Sequence, residues 1–179
     1  MSAELQRLLA GLAAADAETR RRALAGLPGQ PPAAALAPVI EALGDGDWRV
    51  RKEATLRLAA WPDGEAAAAA LVGALRGPGD VGRRNAAVDA LGRLGASALP
   101  ALLAEHERGG GHAKLVIDAL AAVAEPAAVP ALARLLGHTD PNLRVAAAEA
   151  LRATGGAAAA AALRTCLGAA DRDLRLAAL

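Results

Sequence analysis

Aromatic residues are nearly missing from this chain of 179 residues. Phe and Tyr are absent, and two tryptophans, Trp48 and Trp61, are the whole aromatic content. Hydrophobic residues still make up 54% of the sequence, so alanine and leucine must fill nearly all of the interior. Both residues favour helix, and strong strand formers are scarce. The composition therefore predicts an all-α fold.

An excess of charge of one sign and a pair of cysteines are also lacking. The 20 basic and 19 acidic side chains leave a net charge of +1, which provides no global attraction to nucleic acid or acidic membranes. The single cysteine, Cys166, cannot form an internal disulfide and fits a reducing compartment. No leader is evident, and no uninterrupted apolar span reaches about 18 residues. We therefore expect a soluble, cytoplasmic protein without a membrane partner.

A twelve-residue pattern recurs along the chain, and its clearest copy is DPNLRVAAAEAL, from Asp140 to Leu151. The copies begin at residues 16, 47, 80, 109, 140 and 171, so successive copies are 31, 33, 29, 31 and 31 residues apart. The fourth copy, GGGHAKLVIDAL, has lost the leading Asp and the Arg, and the sixth stops at Leu179 after nine residues. A period this regular indicates tandem repeats.

Each copy has the pattern of an amphipathic helix. The leading Asp is placed as an N-cap, and positions four, eight, nine and twelve fall on one face. Gly92 and Gly95 are expected to close the third copy. A second apolar helix precedes each copy, as Leu5, Leu8 and Leu12 illustrate. We call the preceding helix A and the patterned helix B. Because one pair cannot bury its apolar face alone, the pairs must stack, which predicts an α-solenoid of about six two-helix repeats.

The unit EPAAVPALARLLGHTDPNLRVAAAEALRATG, residues 125–155, resembles the HEAT repeat. It is most similar to the short bacterial variety first noted in phycobiliprotein lyases. The resemblance covers essentially the whole chain and implies that A helices line a convex side and B helices a concave side. We expect a single array over 1–179, with repeats at roughly 1–30, 31–62, 63–95, 96–124, 125–156 and 157–179.

The same resemblance implies that the recurring aspartates and arginines form a ladder between repeats. Its members would be Asp16, Asp47, Asp80, Asp140 and Asp171 with Arg20, Arg51, Arg84, Arg144 and Arg175. Repeat four lacks both residue types, so we expect the ladder to be interrupted there.

Candidate chemistry starts with the three histidines. The His106–Glu107 pair resembles the iron ligands of HEAT-like deoxyhypusine hydroxylases, but those enzymes need several such pairs and this chain has one. His112 takes the apolar slot that Val50 and Leu143 fill elsewhere, so we expect a half-buried packing residue. No spacing among the histidines matches a metal site.

Two further features have simple structural explanations. Cys166 shares an apolar face with Leu163 and Leu167, which predicts a buried, inert thiol. The glycine run at 109–111 lacks the Lys-Ser/Thr of a P-loop and is expected to be a turn. We therefore expect no enzyme, no metal and no cofactor.

Positions three, six and ten of each B helix are predicted to be exposed, and with Trp48 they form the candidate partner-binding face. A basic row beside an acidic row suits a protein partner with complementary charge, and an ordinary solvated face is the equally weighted alternative. Trp48 occupies an exposed position, where tryptophan is a frequent binding hot spot, whereas Trp61 is expected in the core. The candidate residues are Arg21, Trp48, Arg49, Lys52, Asn85, Asp89, Lys114, Asp118 and Glu149.

The main interpretation is therefore a scaffold or adaptor that binds a protein. The runner-up is a bilin-lyase-like chaperone or accessory subunit, which the repeat subtype alone suggests. DNA binding through the basic N-terminal B helices is less favoured, because acidic residues dilute that charge and few aromatic side chains can stack on bases. End-to-end self-association is a further hypothesis, because Leu174, Leu176 and Leu179 are predicted to expose an apolar surface.

Overall fold

The computed structural model describes residues 3–77 and 81–179, and all regular structure within them is helical. Two compact units are present, Met1–Ala90 and Leu91–Leu179, here called unit 1 and unit 2. The predicted all-α fold is confirmed. The single-array prediction for 1–179 and its repeat boundaries stay predictions.

Odd-numbered helices are A helices and even-numbered helices are B helices. In unit 1 they are α1 Ala3–Gly11, α2 Ala17–Ala25, α3 Leu36–Glu41, α4 Trp48–Ala59, α5 Gly64–Arg76 and α6 Val81–Leu94, which crosses the unit boundary. In unit 2 they are α7 Leu99–Arg108, α8 Ala113–Val123, α9 Val129–Leu135, α10 Pro141–Thr154, α11 Gly156–Arg164 and α12 Arg172–Ala177. Short 3-10 helices adjoin three of the A helices, at Ala33–Ala35, Ala42–Gly44, Gly95–Ala98 and Pro126–Ala128.

The leading aspartates cap the B helices as the repeat pattern predicts. Each carboxylate accepts a hydrogen bond from a backbone N–H in the first turn, which otherwise has no partner there. The four caps are Asp16 to Thr19, Asp47 to Arg49, Asp140 to Asn142, and Asp171 to Asp173 and Leu174. Asp80, the predicted cap of α6, lies outside the described residues.

The fourth B helix departs from the others at its start. α8 begins at Ala113, and its N-cap residue, His112, makes no side-chain capping bond. Gly109 and Gly110 have φ angles of 70° and 128°, which favour glycine because it has no Cβ. The glycine run is therefore a turn, as the sequence suggested, and it shortens α8.

Gly92 does not close α6, contrary to the prediction. The helix continues through it to Leu94, and Gly95 follows with a φ of 58°. A Cβ on Gly92 would lie 2.8 Å from the Cβ of Ala122, so this glycine permits close packing of α6 on α8. A helix-closing glycine and a packing glycine cannot be told apart from sequence alone.

Each unit has its own leucine-rich core. Leu24, Leu43, Leu58, Leu71 and Leu75 are fully buried in unit 1, and Leu102, Ile117, Leu120, Leu132 and Leu151 are fully buried in unit 2. Truncating one such side chain to alanine costs roughly 2–5 kcal/mol. The predicted burial of Trp61 and Cys166 is confirmed, because the two residues are 8% and 4% exposed.

One helical stretch, Val81–Arg108, is long and apolar enough to cross a membrane by length and composition alone. It consists of α6, the 3-10 helix Gly95–Ala98 and α7. A single stretch of this kind is weak support for a membrane span, because core helices of soluble proteins meet the same criterion.

Candidate interaction face

In unit 1 the ladder arginine Arg20 links two repeats. Its Nε lies 2.6 Å from Asp45 Oδ2, and its Nη2 donates to Asp45 Oδ1 at 2.8 Å. Its Nη1 donates to the carbonyls of Ala14 and Ala15 in the turn before α2. The guanidinium of Arg20 lowers the pKa of Asp45. The partner of Arg20 is therefore Asp45 and not Asp47, which binds Arg49.

In unit 2 the equivalent arginine, Arg144, reaches the N-cap residue itself. Its Nη2 lies 2.5 Å from Asp171 Oδ2. Its Nη1 donates to the carbonyls of His138 and Thr139 in the preceding turn. Hydrogen bonding to Arg144 lowers the pKa of Asp171. This link agrees with the ladder that the family resemblance implies.

The ladder arginine of the third repeat differs from Arg20 and Arg144. The Nε of Arg84 is buried and has no hydrogen-bond partner among the described residues. The repeat pattern has Gly109 at the position where the next ladder aspartate would stand.

The B helices of unit 1 are held side by side by hydrogen bonds to backbone carbonyls. Arg57 on α4 donates to the carbonyls of Ala25 and Leu27 at the end of α2. On the other side, Thr55 Oγ1, which donates to the carbonyl of Arg51 at 3.0 Å, lies 3.5 Å from the carbonyl of Ala86 on α6. These contacts show that α2, α4 and α6 lie side by side in unit 1. This arrangement fixes which side chains lie next to one another on the exposed side.

The predicted face residues of unit 1 are solvent-accessible. Trp48 is 61% exposed, and the Arg49 and Arg21 side chains are 52% and 35% exposed. Lys52, Asn85 and Asp89 are exposed as well. The predicted exposure of Trp48 is therefore confirmed, whereas a binding role for any of these residues stays a prediction.

Carboxylates hold two of the face arginines. Arg21 donates to both oxygens of Glu18 at 2.9 and 2.8 Å, and Arg22 donates to the same carboxylate. The bonds from Arg21 and Arg22 lower the pKa of Glu18 to about 2.

Arg49 binds Asp47 in the same way, with its Nη2 2.8 Å from Asp47 Oδ2. The side chain and then the backbone N–H of Arg49 lower the pKa of Asp47 to about 2. Lys52 makes no ion pair with any residue of the described ranges 3–77 and 81–179.

Charges on the predicted face of unit 2 neutralise one another. Lys114 Nζ lies 2.9 and 3.0 Å from the two oxygens of Asp118, one turn further along α8. Glu149 is exposed on α10. The sequence pattern places Lys114 in a basic row and Asp118 in an acidic row. In the structure the two side chains form an ion pair four residues apart on α8.

Sequence reasoning missed three exposed apolar residues, and one of them, Leu167, was expected on a buried face with Cys166 but is 46% exposed. Leu56 is 40% exposed on α4, and Val81 is 69% exposed at the start of α6. They occupy positions ten and two of the repeat pattern. Position ten is predicted to be exposed, and position two holds the exposed Trp48 in the preceding repeat. The repeat pattern could therefore have indicated that Leu56 and Val81 are exposed.

A buried carboxylate in unit 2 was also missed. Glu105 is 1% exposed on α7 and lies where the next A helix has Leu135. Its Oε1 is 2.5 Å from His112 Nε2, and its Oε2 is 2.5 Å from Arg108 Nη1. His112 is thus half-buried as predicted, but it binds a carboxylate and does not simply pack in an apolar slot.

The other groups considered for chemistry do not converge. Burial lowers the pKa of His106, and Arg134 contributes in the same direction. Within residues 3–77 and 81–179, no group of three or more His, Cys, Asp or Glu side chains is placed to hold a metal ion. A cavity of about 310 Å³ in unit 1 is lined by Arg20 and Asp45, which bind each other.

Near the end of the chain, Leu174 is buried, contrary to the expectation for this leucine. Leu176 and Leu179 are 55% and 81% exposed. End-to-end association through these residues stays a hypothesis.

The model of the HEAT repeats matches residues 5–92 and 110–179. The chain belongs to the HEAT-repeat family. The match covers α1–α5, most of α6 and α8–α12, so the A and B helices described above are the two helices of successive HEAT repeats.

Solved structures similar to this HEAT-repeat chain are distant in sequence. The structure of human deoxyhypusine hydroxylase in complex with glycerol is 21% identical, covers 97% of this chain and 81% of that chain, and has a TM-score of 0.51. An engineered protein is 22% identical over 99% of this chain and 94% of its own, with a TM-score of 0.41.

The complex of CpcE and CpcF of phycocyanin lyase from Nostoc sp. PCC7120 is 25% identical over 97% of this chain and 74% of that chain, with a TM-score of 0.46. A search of curated proteins finds no match. These likenesses concern the fold, and functions on such a fold depend on the individual site.

Proposed function

We propose that this HEAT-repeat chain is a non-catalytic scaffold that binds a protein partner through the exposed sides of its B helices. The observation that carries the proposal is the exposure of Trp48 beside Arg49 and Lys52 on α4. An exposed tryptophan next to cations combines a large apolar contact area with charge that orients a partner. Membership of the HEAT-repeat family supports an interaction role in general.

The chemistry of the face favours a protein over nucleic acid. Helices α2 and α4 carry seven basic and two acidic side chains, but three of the arginines have structural roles. Arg20, Arg51 and Arg57 donate to backbone carbonyls. Glu18 and Asp47 neutralise Arg21, Arg22 and Arg49 among the remaining cations, so these two helices do not present the row of free cations that binds a phosphate backbone.

Affinity capture from a nuclease-treated native lysate tests the proposal. The face variant Arg49→Glu/Lys52→Glu is compared with wild type and with Arg7→Glu/Arg134→Glu, which makes the same charge change on exposed A-helix residues. We expect that wild type and the A-helix variant capture the same protein and that the face variant does not capture it. Equal capture by all three forms, or capture that disappears after nuclease treatment, would contradict the proposal.

A further inference from the structure

Three exposed residues follow one another along the outer side of α4. Trp48, Lys52 and Leu56 are four residues apart, so they lie on one stripe of the helix over two turns. Trp48 and Leu56 are 61% and 40% exposed, and Lys52 between them is exposed. The stripe therefore has apolar ends and a cationic centre.

Helix α6 continues this surface within unit 1. Thr55 Oγ1 on α4 lies 3.5 Å from the carbonyl of Ala86, so α6 lies beside α4, and the repeat pattern aligns Val81 with Trp48. Val81 is 69% exposed, so two large apolar side chains stand at the start of neighbouring B helices. Helices packed in this way have axes roughly 8–10 Å apart, so one extended peptide segment can contact both helices.

The cations of this surface differ in how far they are neutralised. Arg49 is bound by Asp47 yet half exposed, and Arg21 is shared between Glu18 at 2.8 Å and Glu53 at 4.0 Å. Lys52 has no ion-pair partner among the described residues. The positive charge available to a partner is therefore at Lys52, between the apolar side chains of Trp48 and Leu56.

We infer that the segment recognised here is an acidic peptide with one large apolar residue, which covers Trp48 and Val81 while a carboxylate of the peptide binds Lys52. This inference rests on the proposed function and adds the chemistry of the partner. Anionic side chains are complementary to the uncompensated charge of Lys52, and an apolar anchor removes the exposed surfaces of Trp48 and Val81 from water.

Selection from a random dodecapeptide display library on the full chain tests the inference without a known partner. The selected peptides should be rich in Asp and Glu around one Leu, Ile, Phe or Trp. Enrichment of basic or uncharged peptides, or the lack of any enriched sequence, would overturn the inference.

The selected peptides, labelled with fluorescein, are then titrated against variants by anisotropy. Trp48→Ala should weaken binding about tenfold or more, as for a hot-spot residue, and Lys52→Glu should weaken binding and reduce its salt dependence. Arg7→Glu should leave the affinity unchanged. The buried Trp61 remains in Trp48→Ala and reports by its fluorescence whether unit 1 is still folded.

Two outcomes separate this inference from the proposed function. If the face variant loses a protein from lysate but no acidic peptides are selected, the scaffold proposal stands and the acidic-segment inference fails. If a 20-nucleotide single strand binds more tightly than the selected peptides at 150 mM salt and Lys52→Glu abolishes that binding, both fail in favour of nucleic acid.

Discussion

Unit 1 and unit 2 differ in how an arginine of one repeat binds the next repeat. In unit 1 one aspartate caps the helix and another binds the arginine, whereas in unit 2 a single aspartate does both. Asp45 binds the ladder arginine Arg20 in unit 1, and Asp47 caps α4. In unit 2, Asp171 does both, with Oδ1 accepting from the first turn of α12 and Oδ2 binding Arg144. The comparison shows that one repeat pattern can distribute capping and linking over different carboxylates.

This division has consequences for the exposed face. Because Asp45 takes the linking role, both oxygens of Asp47 are available to bind the outward-facing Arg49. In unit 2 the exposed charges of α8, Lys114 and Asp118, bind each other. The exposed side of α4 therefore keeps one cation, Lys52, without an ion-pair partner among the described residues and beside a tryptophan, whereas that of α8 presents a closed ion pair.

Unit 2 contains a further polar cluster that unit 1 does not share among its described residues. Glu105 replaces a core leucine and is held by His112 and Arg108. Among the described residues of unit 1, the buried polar residue is instead Thr55, whose hydroxyl donates to the backbone carbonyl of Arg51. The fourth repeat lacks the ladder residues and has instead a polar contact between its own A and B helices, α7 and α8.

The largest expected effect comes from removing one member of the polar cluster that Glu105, His112 and Arg108 form in unit 2. His112→Leu removes a hydrogen bond to the buried Glu105 carboxylate and should lower the free energy of unfolding by about 2 kcal/mol. Glu105→Leu removes the buried charge itself and should stay within about 1 kcal/mol of wild type or be stabilising. Urea unfolding followed by far-UV circular dichroism measures both.

The double variant Glu105→Leu/His112→Leu serves as the control for this prediction. Because the buried charge is gone, it should resemble Glu105→Leu and regain the stability lost in His112→Leu. A Glu105→Leu variant as unstable as His112→Leu would mean that the cluster is a net stabiliser of unit 2.

Breaking the link of unit 1 should have a somewhat smaller effect. Asp45→Ala leaves Arg20 without two of its hydrogen bonds and should cost about 1–2 kcal/mol. Both tryptophans lie in unit 1, so their fluorescence during urea unfolding reports on this unit. Glu65→Ala, an exposed acidic residue on α5, is the matched control and should change the midpoint much less. Equal effects of the two variants would exclude a stabilising role for the Arg20–Asp45 link.

The third prediction concerns pH and the exposed carboxylates of unit 1. The folded pKa values of Glu18 and Asp47 are both about 2, below the ordinary values of 4.5 and 3.8. These groups therefore stabilise unit 1 above the ordinary values, and that contribution is lost as pH falls toward 2. Carboxyl NMR titration should show Arg49→Gln raising the pKa of Asp47 while that of Glu18 changes little. An unchanged Asp47 pKa in this variant would contradict the assigned cause.

The smallest effect should come from removing an N-cap aspartate, a feature that occurs in both units. Asp140→Ala removes the bond to the N–H of Asn142 at 2.9 Å and should cost about 1 kcal/mol. Asp140→Asn should retain most of this stability, because asparagine caps nearly as well. Circular dichroism during urea unfolding measures both, and equal losses would show that charge and not capping matters at Asp140.

Much of the fold was predictable because its signals are local. The period of about 31 residues and the apolar positions four, eight, nine and twelve identified the B helices, and Asp16, Asp47 and Asp140 identified where three of them begin. The exposure of Trp48 and the burial of Trp61 followed from the same pattern. Such features depend on spacing within a helix, which the sequence states directly.

Other features were decided by tertiary structure. Whether Asp45 or Asp47 meets Arg20, whether Lys114 pairs with Asp118, and whether Gly92 ends a helix or admits Ala122 depend on side-chain reach and turn geometry of a few ångströms. The burial of Glu105 is of the same kind, since its charge is tolerated only where His112 and Arg108 can reach it. The sequence by itself determined the repeats, their helices and the side each helix exposes. The packed structure decided which charged groups satisfy one another and which remain available to a partner, because those contacts join residues whose distances no local pattern specifies.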